Sequence, residues 1–318
     1  MRLIRRVSLS TALLTYALIV LGALVRSTNS GLSCPDWPTC YGYWLLTPSD
    51  FAALPYTGYT YGQVMLEWVH RLIAGVFLGP LVLVLVGLIL WRRRERVGLV
   101  PAAAFLLALL LFQKLLGGIT VLDRNSPWSV ALHLGNAMLV LAVILWIAVR
   151  AGEPVRGTVP PKFATLVGAS WVLAFAAITS AAIVAKSGAA LACSTWPLCN
   201  GALIPELGDP LVRANFVHRV LAGLAALALV GVAWRARASD LPPTVSRLAA
   251  MAAGLILLEV LLGAVTVWGE IATTLAVAHQ ALGVAVFAKL TLLWWQARAA
   301  APRPAAAEGS DGLALRGA

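Results

Sequence analysis

Long apolar runs separated by short polar loops make up most of the chain. Eight such runs lie near residues 8–26, 66–90, 99–122, 128–149, 164–186, 214–234, 246–268 and 272–294. A run of about 20 apolar residues is long enough for an α-helix to cross a hydrocarbon layer of about 30 Å. The pattern therefore predicts an all-α integral membrane protein with eight transmembrane helices. The first run has no small-residue cleavage site after it, so we expect a retained helix rather than a signal peptide.

Basic residues occur in every second loop, which predicts how the helices are oriented. They cluster at residues 2–6, 92–96, 150–162, 235–247 and 298–303, whereas residues 27–66 contain no Lys or Arg. Short loops rich in Lys and Arg stay on the cytoplasmic side of a membrane. We therefore expect both termini in the cytoplasm and the intervening loops, including all cysteines, at the outer face.

The composition agrees with membrane insertion and excludes a nucleic-acid partner. The chain is 60% hydrophobic and only 12% charged, and its net charge of +11 comes from the loop residues. No basic face interleaved with exposed aromatic residues is present, as nucleic-acid binding would require. The composition therefore predicts that membrane lipid surrounds the protein.

The two halves of the chain resemble each other. The segment LEWVHRLIAGV at 66–76 matches ANFVHRVLAGL at 214–224, and LLFQKLLGGITV at 110–121 matches ILLEVLLGAVTV at 256–267. Each half has four helices, an even number, so both halves have the same orientation. This predicts two tandem four-helix bundles related by a pseudo-twofold axis along the membrane normal. We expect the first half at residues 1–149, a cytoplasmic linker at 150–163, the second half at 164–297 and a disordered cytoplasmic tail at 298–318.

The four histidines are the strongest candidates for cofactor ligands. His70 and His133 lie in the first half, His218 and His279 in the second, and all four lie at similar depth near the outer ends of alternate helices. Two imidazoles facing each other across a helix bundle are what a bis-histidine haem requires. Zinc is the alternative, but it prefers three or four ligands in one compact site. Hydrogen bonding between helices is the alternative for a single histidine.

Four further charged residues lie close to these histidines or deep in the helices. Arg71 and Arg219 follow the first histidine of each half, where they can extend to the interface or bind haem propionates. Lys114 and Glu259 are deeper, and we expect both to face the bundle interior, because a charge facing lipid is costly. Lys114 is a further candidate to balance a propionate charge.

Glu67 is the main difference between the halves. It precedes His70 by three residues and shares its helix face, whereas Asn215 has this position before His218. A carboxylate beside a haem can transfer protons or stabilise positive charge in a reacting group. Alternatively, Glu67 is an acidic residue near a helix start, where the helix dipole favours a negative charge. The difference predicts a reaction site in the first half and an electron-transfer haem in the second.

Several of these segments together resemble the haem A synthase family. They are VRSTNSGLSCPDWPTCYG, EWVHR, LGGITV, ALHLGNA, FVHR and VAHQ, and the likeness extends from about residue 8 to 297. The family consists of bacterial plasma-membrane and related multi-pass enzymes that oxidise the C8 methyl group of haem O to a formyl group, giving haem A for cytochrome oxidase. The second cysteine motif lacks the Pro-Asp of the first.

The resemblance implies roles for individual residues. His70 and His133 correspond to ligands of the substrate haem, Glu67 to the family's essential carboxylate, and His218 and His279 to ligands of a resident haem B. A haem O synthase and cytochrome oxidase assembly factors are the implied partners. Self-association into a homo-oligomer is left open by the sequence.

The cysteines form two matching motifs, SCPDWPTC at 33–40 and ACSTWPLC at 192–199. The pairs belong to different halves, which does not favour one zinc site, and a thioredoxin-type motif has two intervening residues rather than five. On an oxidising outer side we expect two local disulfides, Cys34–Cys40 and Cys193–Cys199, each closing a loop over one haem site. A redox role of the first pair in electron or haem delivery is the alternative.

Three other functions would use similar residues. A di-haem b-type electron carrier linked to quinol needs the same histidine pairs but not Glu67. A haem transporter or chaperone would hold haem loosely and leave it unchanged. A structural membrane subunit would not need four histidines at one depth.

Overall fold

The fold is an assembly of long helices, seen in a computed structural model that describes residues 1–93, 97–153 and 155–301. No β-strand occurs within these ranges. Among the described residues, eight helical segments are long and apolar enough to cross a membrane, which confirms the predicted number. Residues 94–96 of the predicted basic loop, Arg303 and the greater part of the predicted tail lie outside the described residues.

The first half contains four of the spans. The second span is continuous from Tyr61 to Trp91 and includes a π-helical segment, Ile73–Leu78. A short 3₁₀ turn, Val97–Leu99, precedes the third span. In chain order the helices are α1 (Arg2–Ser27), α2 (Pro48–Ala52), α3 (Tyr61–Leu72), α4 (Gly79–Trp91), α5 (Val100–Leu122) and α6 (Pro127–Arg150).

The second half contains the other four spans. They are α7 (Pro161–Lys186), α8 (Pro210–Arg237), α9 (Pro243–Trp268) and α10 (Thr273–Ala300). A 3₁₀ turn, Ala189–Leu191, lies between α7 and α8. Helix α10 continues past residue 297, where we expected the tail to begin, so the residues up to Ala300 are helical.

Polar caps determine where three of the histidine-bearing helices begin. The side chain of Thr60 accepts a hydrogen bond from the Gln63 N–H, Ser126 from Ser129, and Asp209 from Leu211. Such caps satisfy backbone donors that a helix start leaves without partners. Because of these polar first turns, α3 and α8 begin several residues before the apolar runs that predicted them.

The two halves pack together through α1, α6, α7 and α10. Helix α6 packs against α7 and α10, and α1 packs against α10. One aromatic pair lies across this contact: the ring centroids of Trp146 of α6 and Trp295 of α10 are 6.0 Å apart. The α1–α10 and α6–α7 contacts are equivalent when the halves are exchanged, which is consistent with the predicted pseudo-twofold relation.

The chain ends and the cysteine loops lie at opposite ends of the helices. At one end the Val159 N–H donates to the Ala300 carbonyl, 3.1 Å away. At the other end Arg26 donates to Gln280 at 3.0 Å, and the Asn125 amide donates to the Gly31 carbonyl at 2.7 Å. The second end carries both cysteine loops and is the end toward which the histidines lie.

Candidate functional site

The four histidines lie in the N-terminal parts of four helices, near the end that carries the cysteine loops. His70 lies on α3, His133 on α6, His218 on α8 and His279 on α10, and all four rings are half-buried. His133 is the histidine that lies near His70, and His279 is the one that lies near His218, so each half contains its own pair. This is the pairing that the repeat predicted.

Glycines on neighbouring helices make room for three of the imidazole rings. A Cβ atom at Gly22 would lie 3.2 Å from Cε1 of His70, and one at Gly263 would lie 3.1 Å from Cε1 of His279. Gly117 corresponds to Gly263 in the repeat, and its Cβ would lie 3.5 Å from the His133 ring. Larger residues at the first two positions would crowd the rings, so the backbone of each half is shaped around them.

In the second half, the Nδ1 atoms of both histidines face acceptors. Nδ1 of His218 lies 3.1 Å from the Ala177 carbonyl and 3.0 Å from the Ser180 hydroxyl. Nδ1 of His279 lies 3.0 Å from Oε1 of Glu259. A protonated Nδ1 leaves Nε2 of each ring as the atom that can bind a metal.

In the first half, the surroundings of the rings differ. Among the described residues, Nδ1 of His70 is buried without a hydrogen-bond partner, and so is Nδ1 of His279 in the second half, whose contact with Glu259 lacks the geometry of a hydrogen bond. The Gln113 amide nitrogen lies 3.3 Å from Nδ1 and 3.2 Å from Nε2 of His133. A buried imidazole nitrogen without a partner is costly unless a ligand satisfies it.

These residues fit a haem better than a zinc ion. Each half has two half-buried imidazoles, glycines that leave space beside the rings, and one buried ring nitrogen without a hydrogen-bond partner. Within the described ranges no group of three or more His, Cys, Asp or Glu side chains could hold a metal ion. Zinc normally requires such a group, whereas haem iron accepts two axial imidazoles.

Glu67 is buried and its carboxylate connects α3 to the first cysteine loop. One oxygen accepts from the Cys34 N–H at 2.8 Å and from the Ser33 hydroxyl at 3.0 Å. The other accepts from Arg71 at 2.6 Å, one helical turn away. The carboxylate that the sequence singled out is therefore also the anchor of the loop.

Arg71 binds the same loop through its backbone carbonyls. Its guanidinium donates to the carbonyls of Asp36 at 2.6 Å, Thr39 at 2.7 Å and Cys34 at 3.1 Å. This contact was not predicted from the sequence, where a charged residue near a helix end indicated only the interface or a propionate. The propionate contact stays a prediction.

The second half repeats this arrangement with an amide in place of the carboxylate. Arg219 donates to the carbonyls of Cys193 at 2.5 Å and Thr195 at 2.6 Å. Its Nε donates to Oδ1 of Asn215 at 2.9 Å, and the Asn215 amide donates to the Ala189 carbonyl at 2.7 Å. Both arginines therefore hold a cysteine loop, but only the first half has a buried carboxylate there.

Both predicted disulfides are present. Cys34 pairs with Cys40 and Cys193 with Cys199, with Cα–Cα distances of 4.7 and 4.6 Å. The first loop reaches over α5, because a Cβ at Gly118 would lie 3.6 Å from the Trp37 ring. This neighbourhood supports the expectation that the loop covers the site beside His133.

Asp36 organises the first cysteine loop from within. Its carboxylate accepts from the N–H groups of Tyr41 at 2.6 Å and Gly42 at 2.9 Å, and from the Thr39 hydroxyl. Burial would raise the pKa of Asp36, but these hydrogen bonds outweigh it and hold the pKa below its ordinary value. Asp36 is thus a charged acceptor inside the loop.

Of the two deeper charges, Glu259 has a side chain that is only 14% exposed, which confirms its interior position. The Lys114 side chain is exposed, and its ammonium lies 5.9 Å from the centre of the Trp37 ring, where the aromatic face stabilises a cation. Lys114 shares its helix face with Gly117 and Gly118, which lie against His133 and Trp37, so its expected position facing the bundle interior stays a prediction.

Gln113, beside His133, was not predicted from the sequence. It corresponds to Glu259 in the repeat, since both precede the paired glycines Gly117 and Gly263 by four residues. This correspondence was the signal that could have identified it.

Comparison with known proteins agrees with this picture. Residues 5–291 match the COX15-CtaA family model, described as cytochrome oxidase assembly protein. The chain is 30% identical to "Heme A synthase" of Symbiobacterium thermophilum, over 83% of this chain and 85% of that protein. It is 33% identical to "Heme A synthase" of Halalkalibacterium halodurans over 66% of this chain and 68% of that protein. With "Heme A synthase" of Hyphomonas neptunium the identity is 30%, over 92% and 90%.

Proposed function

Since the chain belongs to the COX15-CtaA family of cytochrome oxidase assembly proteins, we propose that it is a haem A synthase. The observation that carries the proposal is the duplicated histidine pair, in a chain of which residues 5–291 match that family. The eight spans make it a multi-pass membrane protein. Its product would be haem A for cytochrome c oxidase.

The first half would hold the substrate. His70 and His133 would bind the iron of haem O, and the C8 methyl group would be oxidised to a formyl group. The buried Nδ1 of His70 and the glycines beside both rings support this assignment. The change replaces two hydrogens of the methyl group by one oxygen and, counted with water as the oxygen source, releases four electrons and four protons.

Glu67 would act on the reacting group. A buried carboxylate can stabilise a developing positive charge or accept a proton as the methyl carbon is oxidised. Arg71, Ser33 and the Cys34 N–H fix both carboxylate oxygens, so the group is pre-oriented rather than free to rotate. We therefore assign the proton-accepting role to Glu67 and the orienting role to Arg71.

The second half would hold a resident haem B between His218 and His279. Such a haem supplies one-electron redox chemistry, which suits electron removal from the first half. The contacts of both Nδ1 atoms support Nε2 as the iron-binding atom of each ring. Asn215 replaces the carboxylate here, in keeping with a site that does not change its haem chemically.

The location follows from the loop charges. We assign both termini to the cytoplasm of a bacterial cell and both cysteine loops to the outer face of the plasma membrane. Arg71 and Arg219, near the loops, are the candidate partners of haem propionates. A haem O synthase would supply the substrate, and cytochrome oxidase assembly factors would receive the product.

The test is an analysis of pigments bound to the protein. The chain is expressed in cells that make haem O, purified in detergent, and its pigments are extracted and separated by chromatography. Haem B together with haem O, hydroxylated haem or haem A is the expected result. Haem B alone would instead identify a di-haem electron carrier and overturn the proposal.

A further inference from the structure

The residue that faces the second histidine differs between the halves. Gln113 faces His133 and Glu259 faces His279, at equivalent positions of the repeat. This difference is the converse of the one at Glu67 and Asn215. Each half therefore has one carboxylate and one amide at these two positions, in opposite places.

In the first half, surrounding contacts fix the Gln113 amide with its donor toward the ring. Nδ2 of Asn136 donates to the Leu109 carbonyl at 2.9 Å and to Oε1 of Gln113 at 2.7 Å. The Gln113 nitrogen in turn donates to the His133 carbonyl at 3.1 Å. Because both carbonyls can only accept, Gln113 must present its NH₂ group to His133 and cannot accept a proton from the ring.

In the second half, the equivalent positions favour an acceptor. Leu282 corresponds to Asn136 and has no donor, and Gly283 corresponds to Ala137. A Cβ at Gly283 would lie only 2.8 Å from Oε1 of Glu259, so the glycine makes room for this carboxyl group. Glu259 is thereby kept 3.0 Å from Nδ1 of His279, within reach of the ring proton, although the two groups are not aligned as a hydrogen bond in this structure.

The two arrangements have different consequences for a metal-binding imidazole. A neutral ring bound through Nε2 has its proton on Nδ1, and an acceptor there fixes the ring and makes it a better electron donor. A charged acceptor forms a hydrogen bond about twice as strong as a neutral one. An amide that offers only its NH₂ group cannot accept the Nδ1 proton, so it neither fixes the ring in this way nor makes it a better electron donor.

We propose that Glu259 is the positioning residue that orients His279, retains the second-half haem and lowers its reduction potential. Gln113 withholds the same support from His133, which suits a site from which the product must leave. The inference rests on the proposed function, because it assumes haem iron at His279.

The test compares two variants that remove one negative charge each. Glu259→Gln changes the residue beside His279, and Glu270→Gln changes an exposed residue in the loop before α10. Haem B loss to apomyoglobin and the midpoint potential of the bound haem are measured in detergent. We expect Glu259→Gln to release haem B about 10–100-fold faster. The midpoint potential of its haem should rise, because ferric iron is no longer favoured by the charge. A tenfold weaker preference for ferric iron corresponds to a rise of about 59 mV. Glu270→Gln should match the unaltered protein in both measurements.

Two further variants keep the inference testable if Glu259→Gln does not fold. Gly283→Ala retains Glu259 but displaces its carboxyl group, and it should change the rate of haem loss and the potential in the same direction. Gln113→Glu should slow the loss of haem from the first half.

The outcomes separate this inference from the proposed function. Equal haem retention and potential in Glu259→Gln and Glu270→Gln would overturn the inference alone. Absence of haem B from the unaltered protein, or its full retention by His279→Ala, would overturn the proposed ligation and this inference with it.

Discussion

The carboxylate of Glu67 and the guanidinium of Arg71 form an ion pair of 2.6 Å on one face of α3. Both side chains also bind the Cys34–Cys40 loop, Glu67 through backbone N–H and hydroxyl donors and Arg71 through backbone carbonyls. The candidate reactive group and the loop above it are thus parts of one hydrogen-bonded unit. Any change to one of them must be tested for its effect on the other.

Replacement of Glu67 by Gln separates its chemical role from its structural role. We expect Glu67→Gln to retain both haems while haem O accumulates and haem A falls at least tenfold, because an amide cannot accept the proton. Extracted pigments and total haem content are measured together. Full haem A production would contradict the chemical role, and loss of both haems with a protease-sensitive loop would indicate a structural one.

Replacement of Arg71 by Lys should loosen the first cysteine loop. An ammonium cannot reproduce the planar fork that binds several carbonyls and Glu67 at once. Loss of such charge-assisted hydrogen bonds costs about 1.5–3 kcal/mol, so the loop should open about 10–100-fold more often. Hydrogen exchange of the loop amides measures this opening. Arg219→Lys is the matched control, since it should affect only the Cys193–Cys199 loop.

The first cysteine loop should lose order in acid through Asp36. The pKa of Asp36 is lower in the folded loop than its ordinary value of 3.8. The stabilisation is therefore fully present above that value and is lost as the pH falls through the lower, folded one. Hydrogen exchange of the Tyr41 and Gly42 amides at several pH values tests this. The second loop has Thr195 at the equivalent position and should not respond, and Asp36→Asn should remove the response of the first.

The first disulfide should shape the loop rather than hold the fold. Closing so short a loop stabilises the folded state by about 2–3 kcal/mol, because it lowers the conformational entropy of the unfolded chain. With both Cys34 and Cys40 replaced by Ser, we expect haem B to stay bound in the second half and the loop amides to exchange faster. Optical spectra and haem content provide the measurement. Loss of all haem would show that the disulfide supports the whole bundle.

Each histidine pair should serve its own half. His218→Ala should remove haem B while the first half still binds haem O, and His70→Ala should do the reverse. The physical reason is that both axial imidazoles of each haem would come from the same half. Pigment analysis of both variants distinguishes the sites, and simultaneous loss of both haems from either properly folded variant would contradict independent sites.

Much of the protein was determined by local and periodic features of the sequence. Apolar runs long enough to span a bilayer gave eight helices, because backbone groups in lipid must be satisfied within each segment. The repeat identified the histidine pairs, and the matching cysteine spacing with the predicted outer location gave both disulfides. Glu67 was found because it differs from Asn215 at an equivalent position.

Only the tertiary structure decided which groups meet across helices and loops. Arg71 and Arg219 bind loop carbonyls, and Lys114 lies near Trp37, because the folded loops bring distant carbonyls and a distant ring to these side chains. The opposite polarity at Gln113 and Glu259 depends on Asn136 and Gly283, on other helices. Hydrogen bonds are directional and short, so side chains this far apart in sequence reveal their partners only when the helices are packed.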